Sequence, residues 1–121
     1  MLPDQVPYRD AVSNVQRVAL LLAAVSAEDK EIMKEALNDR LHEQYRIKRA
    51  PELQEVRDLM VDQPVMGTVL SGAGSSVLTI VHEDHRPQVL QRLKDWALQQ
   101  PDPIQILDLE VDDEGLTAVC K

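Results

Sequence analysis

The stretch Leu70-Ser71-Gly72-Ala73-Gly74-Ser75-Ser76 sets two glycines one residue apart among hydroxyls, between apolar runs at Val65–Leu70 and Val77–Val81. Glycine takes positive φ without steric penalty. Such a stretch can therefore close a tight hairpin, or turn its N–H groups toward one point and cradle a phosphate or carboxylate. The local sequence leaves both readings open. It is not a Walker loop or a dinucleotide fingerprint, because no Gly-Lys-Ser/Thr follows and a strand rather than a helix comes next. Ser71 and Ser76 flank it without the Gly-x-Ser-x-Gly order of a hydrolase nucleophile.

A second concentration of chemistry lies upstream. Arg40, Arg46, Lys48 and Arg49 put four cations into ten residues, interrupted by Glu43. An arginine fork in a loop suits a carboxylate or a phosphate. The plainer reading is a set of solvated charges complementing the negative C-terminal end of a helix. His42, His82 and His85 complete the candidate list, but His82-Glu-Asp-His85 has no third ligand at a defined spacing. The series Asp108, Glu110, Asp112 lacks the glycine and terminal glutamate of a calcium loop. No metal site is expected.

These groups belong to a chain of 121 residues, 44% apolar and 28% charged, with a formal net charge of −8. That composition fits one soluble domain spanning residues 1–121. The acidic balance argues against nucleic acid, and with no Phe, one Trp and two Tyr there is no base-stacking platform. Val18–Val25, the longest apolar run, is too short to span a bilayer, so no membrane association is expected. Met1-Leu2-Pro3-Asp4 has no basic or apolar leader, and Cys120 is the single cysteine. Both features suit a reducing cytoplasm.

Periodicity supplies the elements that must position the candidates. Residues 10–25 read as a helix with Ala11, Val12, Val15, Ala19 and Leu22 on one face, apolar all round from Val18 and hence buried in its second half. Ser26 and Asp29 resemble a capping arrangement that starts a second helix near Ala27, with a stripe of Ile32, Met33, Ala36, Leu37 and Leu41. Ala50-Pro51 opens a third helix, whose inner face is Leu53, Val56, Leu59 and Met60. Strands at Val65–Leu70 and Ser76–Val81 flank the glycine turn. Arg86-Pro87 starts a fourth helix with Val89, Leu90, Leu93, Trp96 and Ala97 inward, broken by Pro101 and Pro103. Ile104–Val111 alternates apolar and acidic residues as a half-exposed strand, and Asp113-Glu114-Gly115 turns into a last strand at Leu116–Val119. The order predicts an α+β, ferredoxin-like two-layer sandwich, a four-stranded antiparallel sheet with about four helices.

Taken in order, several segments resemble the C-terminal half of homoserine kinases, in the GHMP kinase superfamily. They are Leu2-Pro3, Asp10-Ala11-Val12-Ser13-Asn14-Val15, Asp39-Arg40-Leu41-His42-Glu43-Gln44-Tyr45-Arg46, Pro51, and Leu70–Val77. The Asp-Arg-Leu-His-Glu-x-Tyr-Arg segment is the specific part. Gln44 departs from the commoner proline, and Ser75 stands where proline often follows the second glycine.

The resemblance implies that Arg46 binds the carboxylate of L-homoserine. It also implies that Ser71, Gly72, Ala73, Gly74 and Ser75 form the glycine-rich loop beside the ATP phosphates. No residue here is implied as catalytic. Mg-ATP would be used by the complete enzyme, in threonine biosynthesis, and held by an N-terminal kinase domain whose Gly-Leu-Gly-Ser-Ser-like loop does not occur in these residues. The chain alone is therefore expected to be inactive and to hold no cofactor, and a homodimer is compatible. A sibling GHMP kinase acting on another small alcohol, or a non-catalytic amino-acid-binding module of ferredoxin-like fold, fits the same residues less closely.

Overall fold

The computed structural model describes residues 2–115 and Thr117. The first long helix, α1, runs Tyr8–Ala27 after Pro7. It ends where Glu28 turns left-handed at φ 54°, and the Asp29 N–H closes back on the Ala24 carbonyl at 3.0 Å. Asp29 then caps α2, Lys30–Ala36, its carboxylate accepting from the Ile32 N–H at 3.0 Å. The second helix thus starts three residues after the expected point, because α1 continues through Ser26 and Ala27. It also stops before Leu41, which lies in the loop beyond.

A four-residue helix, α3 (Glu43–Arg46), runs into a 3-10 turn at Ile47–Arg49. Helix α4, Pro51–Leu59, carries proline in its first turn, where the missing N–H is not needed. The strands β1 (Val65–Ser71) and β2 (Ser76–Val81) pair antiparallel, with Thr68 opposite Thr79, Leu70 opposite Val77 and Ser71 opposite Ser76. A short 3-10 turn leads into α5, Arg86–Ala97.

The core lies where α4 meets the hairpin and α5. Ala50, Leu53 and Leu70 are buried together with Val77 against them, and Val56, Met60 and Val89 form a second cluster edged by Leu93 and Trp96. Leu37, just after α2, packs on β1 at Gly67, where an added Cβ would collide with its Cδ1. The missing side chain is what allows that approach.

Three expectations need correction. The second half of α1 is not buried: Ala24 alone is enclosed, while Val18, Leu22 and Val25 are 62%, 67% and 57% exposed. The helix packs on α2 along one side, and its other flank meets nothing among the described residues. Five α-helices lie among the described residues, where about four are expected. The sheet has two strands among the described residues, and Ile104–Val111 is not one of them.

Leu107, Leu109 and Val111 alternate as a strand should, yet all three are exposed. Alternation marks which side would face a neighbour, and a ladder forms only where a neighbour exists. The segment is instead held by Arg86, whose guanidinium donates to Asp108 at 2.9 and 3.0 Å and to Glu110 at 2.8 Å. Those two carboxylates hold the Arg86 pKa well above its ordinary value. The last expected strand, at 116–119, lies almost wholly outside the described residues.

Candidate functional site

The glycine stretch is a hairpin connection. Gly72 and Gly74 take φ of +59° and +88°, and the Gly74 N–H donates to the Ser71 carbonyl at 3.2 Å. A substituent at either position would be strained. Residues Ser71, Gly72, Ala73, Gly74 and Ser75 are all exposed, so the loop projects from the sheet as a rim. The Gly74 donor is used to close the turn and is not free to face a ligand.

Arg46 ends α3 and reaches this rim, donating from Nη1 to the Ala73 carbonyl at 2.9 Å. The cation and the loop, 27 residues apart in sequence, therefore meet. The side chain is half-buried, and its Nε is enclosed with no hydrogen-bond partner. An enclosed N–H donor left unpaired costs roughly 1–3 kcal/mol. Enclosed by protein atoms, that Nε does not itself meet a ligand, and the guanidinium end beside the loop is the part left to do so. A carboxylate, accepting at the guanidinium end, is a group that such a fork fits.

The turn that presents Arg46 is itself fastened. Asp39 accepts from the backbone N–H groups of Leu41, His42 and Glu43 at 3.2, 2.6 and 2.5 Å, and from the Asn14 amide at 2.6 Å. Asn14 also accepts from the Arg40 N–H at 2.9 Å, joining α1 to the start of α3. Burial would push the Asp39 carboxyl up, but these donors outweigh it and hold it below its ordinary value of 3.8.

A carboxylate with a depressed folded pKa contributes stability that is present above 3.8 and lost as the pH falls through the lower folded value. Asp39→Ala should lower the urea-unfolding free energy by about 1 kcal/mol at neutral pH, with the gap to wild type narrowing toward pH 3. A gap independent of pH would remove Asp39 from this role.

Glu43 is the residue that sequence reasoning passed over. It is 6% exposed, and both carboxylate oxygens are used: one accepts from the Leu70 N–H at 2.7 Å, the other from Arg57 Nη2 at 2.5 Å. Arg57 also donates from Nε to the Thr68 carbonyl at 3.0 Å. One signal was available, since Glu43 is the lone acid among the cations at 40–49. Arg57 carried none, because a basic residue in the last turn of a helix is ordinary.

The other candidates are not brought together. Arg40 is an exposed partner of Asp10 at 3.7 Å, and Lys48 and Arg49 are exposed on the 3-10 turn. With α2 ending at Ala36, none of these cations closes that helix. His82 pairs with Asp84 at 3.1 Å, and its ring centre lies 6.5 Å from that of His85. Among the described residues no three His, Cys, Asp or Glu side chains gather in a way that could hold a metal ion. No helix there is long and apolar enough to cross a membrane.

Residues 21–97 match the family model described as GHMP kinases C terminal. That span takes in α2 to α5, the hairpin, Arg46 and Glu43. The chain is 34% identical over 119 residues to a homoserine kinase of Desulfitobacterium hafniense, covering 98% of this chain and 40% of that protein. It is 42% identical over 92 residues to the homoserine kinase of Gloeobacter violaceus, covering 76% and 31%. With the homoserine kinase of Caldicellulosiruptor bescii the identity is 32% over 120 residues, covering 97% and 38%. The chain thus spans 40% or less of the length of these three curated relatives.

Proposed function

The chain belongs to the GHMP kinases through their C-terminal domain, and from that membership we propose that it is the substrate-side domain of a homoserine kinase. The whole protein would transfer the γ-phosphate of Mg-ATP to the hydroxyl of L-homoserine, a step of threonine biosynthesis in the cytoplasm. The observation that carries the reading is Arg46, whose half-buried guanidinium meets the glycine rim at the Ala73 carbonyl. In this reading the guanidinium fixes the substrate carboxylate. The hydroxyl at the other end of the substrate then has one direction in which to point, which is how positioning lowers a barrier.

Residues 71–75 brace the phosphate side of that site. In this reading magnesium and the triphosphate are held by an N-terminal kinase domain, and the residues of this chain supply the substrate side. Residues 1–121 would form one domain, inactive without that partner, since phosphoryl transfer depends on donors and charge set around the moving phosphate. A four-stranded, ferredoxin-like sandwich would need two strands besides β1 and β2, which this reading places C-terminal to α5. The apolar flank of α1 is available to a neighbouring domain or to a second copy in a homodimer.

The test is phosphate transfer by the full-length protein across a panel of small alcohols. Homoserine should be phosphorylated and an isoprenoid or sugar alcohol ignored. Transfer to another alcohol alone would make this a sibling kinase. Amino-acid binding by calorimetry without any transfer would make it a binding module.

A further inference from the structure

Two bonds tie α3 to the hairpin, and both span the same distance along the chain. Glu43 Oε1 accepts from the Leu70 N–H, and Arg46 Nη1 donates to the Ala73 carbonyl, each across 27 residues. Residues three apart on a helix share a face, so one turn of α3 lies alongside the last residues of β1 and follows them into the loop. Arg57 closes the arrangement from α4, holding the second oxygen of Glu43 and the Thr68 carbonyl with one guanidinium. The three acceptor and donor groups on β1 and the loop, at Thr68, Leu70 and Ala73, are thus gripped by two helices at once.

A buried carboxylate is tolerated only when paired and hydrogen-bonded, and even then such a pair adds little net stability over apolar residues of the same size. What it supplies is geometry. We infer that Glu43, with Arg57, is the positioning pair of the substrate site. It holds α3 in register with the hairpin, so that Arg46 meets the glycine rim with its guanidinium end beside the loop. Glu43 touches no substrate in this arrangement and acts through Arg46. The inference rests on the homoserine kinase reading for its kinetic form, and on the geometry alone for its structural form.

A double-mutant cycle in the full-length protein separates positioning from plain stabilisation. Glu43→Gln keeps an acceptor for the Leu70 N–H but removes the charge facing Arg57. It should raise the KM for homoserine about tenfold, with the KM for ATP changed by less than about twofold. In an Arg46→Lys background the same substitution should add less than about twofold, because the group it acts through is already altered. An unchanged homoserine KM, or the same multiplier in both backgrounds, overturns the inference. Should Glu43→Gln fail to fold, Arg57→Lys replaces it in the cycle, since one ammonium cannot serve both the carboxylate and the Thr68 carbonyl in fork geometry.

Amide deuterium exchange over residues 70–75 is read in parallel and needs no substrate. If the wild-type protein leaves homoserine unphosphorylated, the functional reading falls and the pair is judged on exchange alone. Faster exchange of 70–75 in both Glu43→Gln and Arg57→Lys supports it, and exchange equal to wild type overturns it.

Discussion

Arg46→Ala in the full-length protein should raise the KM for homoserine about a hundredfold and leave the KM for ATP within about twofold. A carboxylate held by two charge-assisted hydrogen bonds loses both at once, and at a half-buried site each contributes roughly 1.5 kcal/mol, together about a hundredfold. Arg46→Lys should fall between, because an ammonium restores the charge but not the planar fork. Steady-state kinetics with each substrate varied in turn decides the matter. A homoserine KM that stays at the wild-type value would take Arg46 out of the site and leave it as a tether of the Ala73 carbonyl.

The second large effect is on stability. Leu53 is 0% exposed and sits between Ala50 and Leu70, at the point where α4 supports the end of β1. Leu53→Ala removes buried methyl and methylene groups and leaves a cavity that a close-packed interior fills only in part, a loss of about 3 kcal/mol. For a domain of this size that corresponds to a drop in Tm of roughly 10 °C. Thermal unfolding followed by circular dichroism gives the number. A shift below about 2 °C would mean that the hairpin collapses onto α4 and fills the space.

The sequence made the boundaries of several elements legible because single residues carry them. Pro51 and Pro87 sit in the first turns of α4 and α5, Asp29 caps α2, and Gly72 and Gly74 supply the positive φ of the hairpin. Each is a local preference that acts through its own backbone, so it shows without knowledge of the fold. What stayed hidden depends on a neighbour. The apolar run from Val18 shows that α1 can bury a wide face, not that it does. Ile104–Val111 has the alternation of a strand, but its exposed leucines have no partner to cover them among the described residues.

The site divides the same way. Arg46 and residues 71–75 stand out by residue type and by likeness to a known pattern. Glu43 matters through Leu70 and Arg57, and Asp39 through Asn14, contacts that exist only after the chain has folded.

The equal span of the two bonds, Glu43 to Leu70 and Arg46 to Ala73, also governs where this chain tolerates a change of length. One residue added or removed within 43–46 or within 70–73 breaks the matched spacing of α3 and the rim, and rotates one of the two side chains off the shared face. The turn between α4 and β1, with Asp62 and Pro64 exposed, keeps its backbone hydrogen bonds local and reaches α5 only through Gln63 and Gln88, so an extra residue there leaves the spacing of α3 and the rim unchanged. Insertions and deletions among homologues should therefore collect at 61–64 and avoid both windows, so that the spacing within each window outlasts the identity of most residues between them.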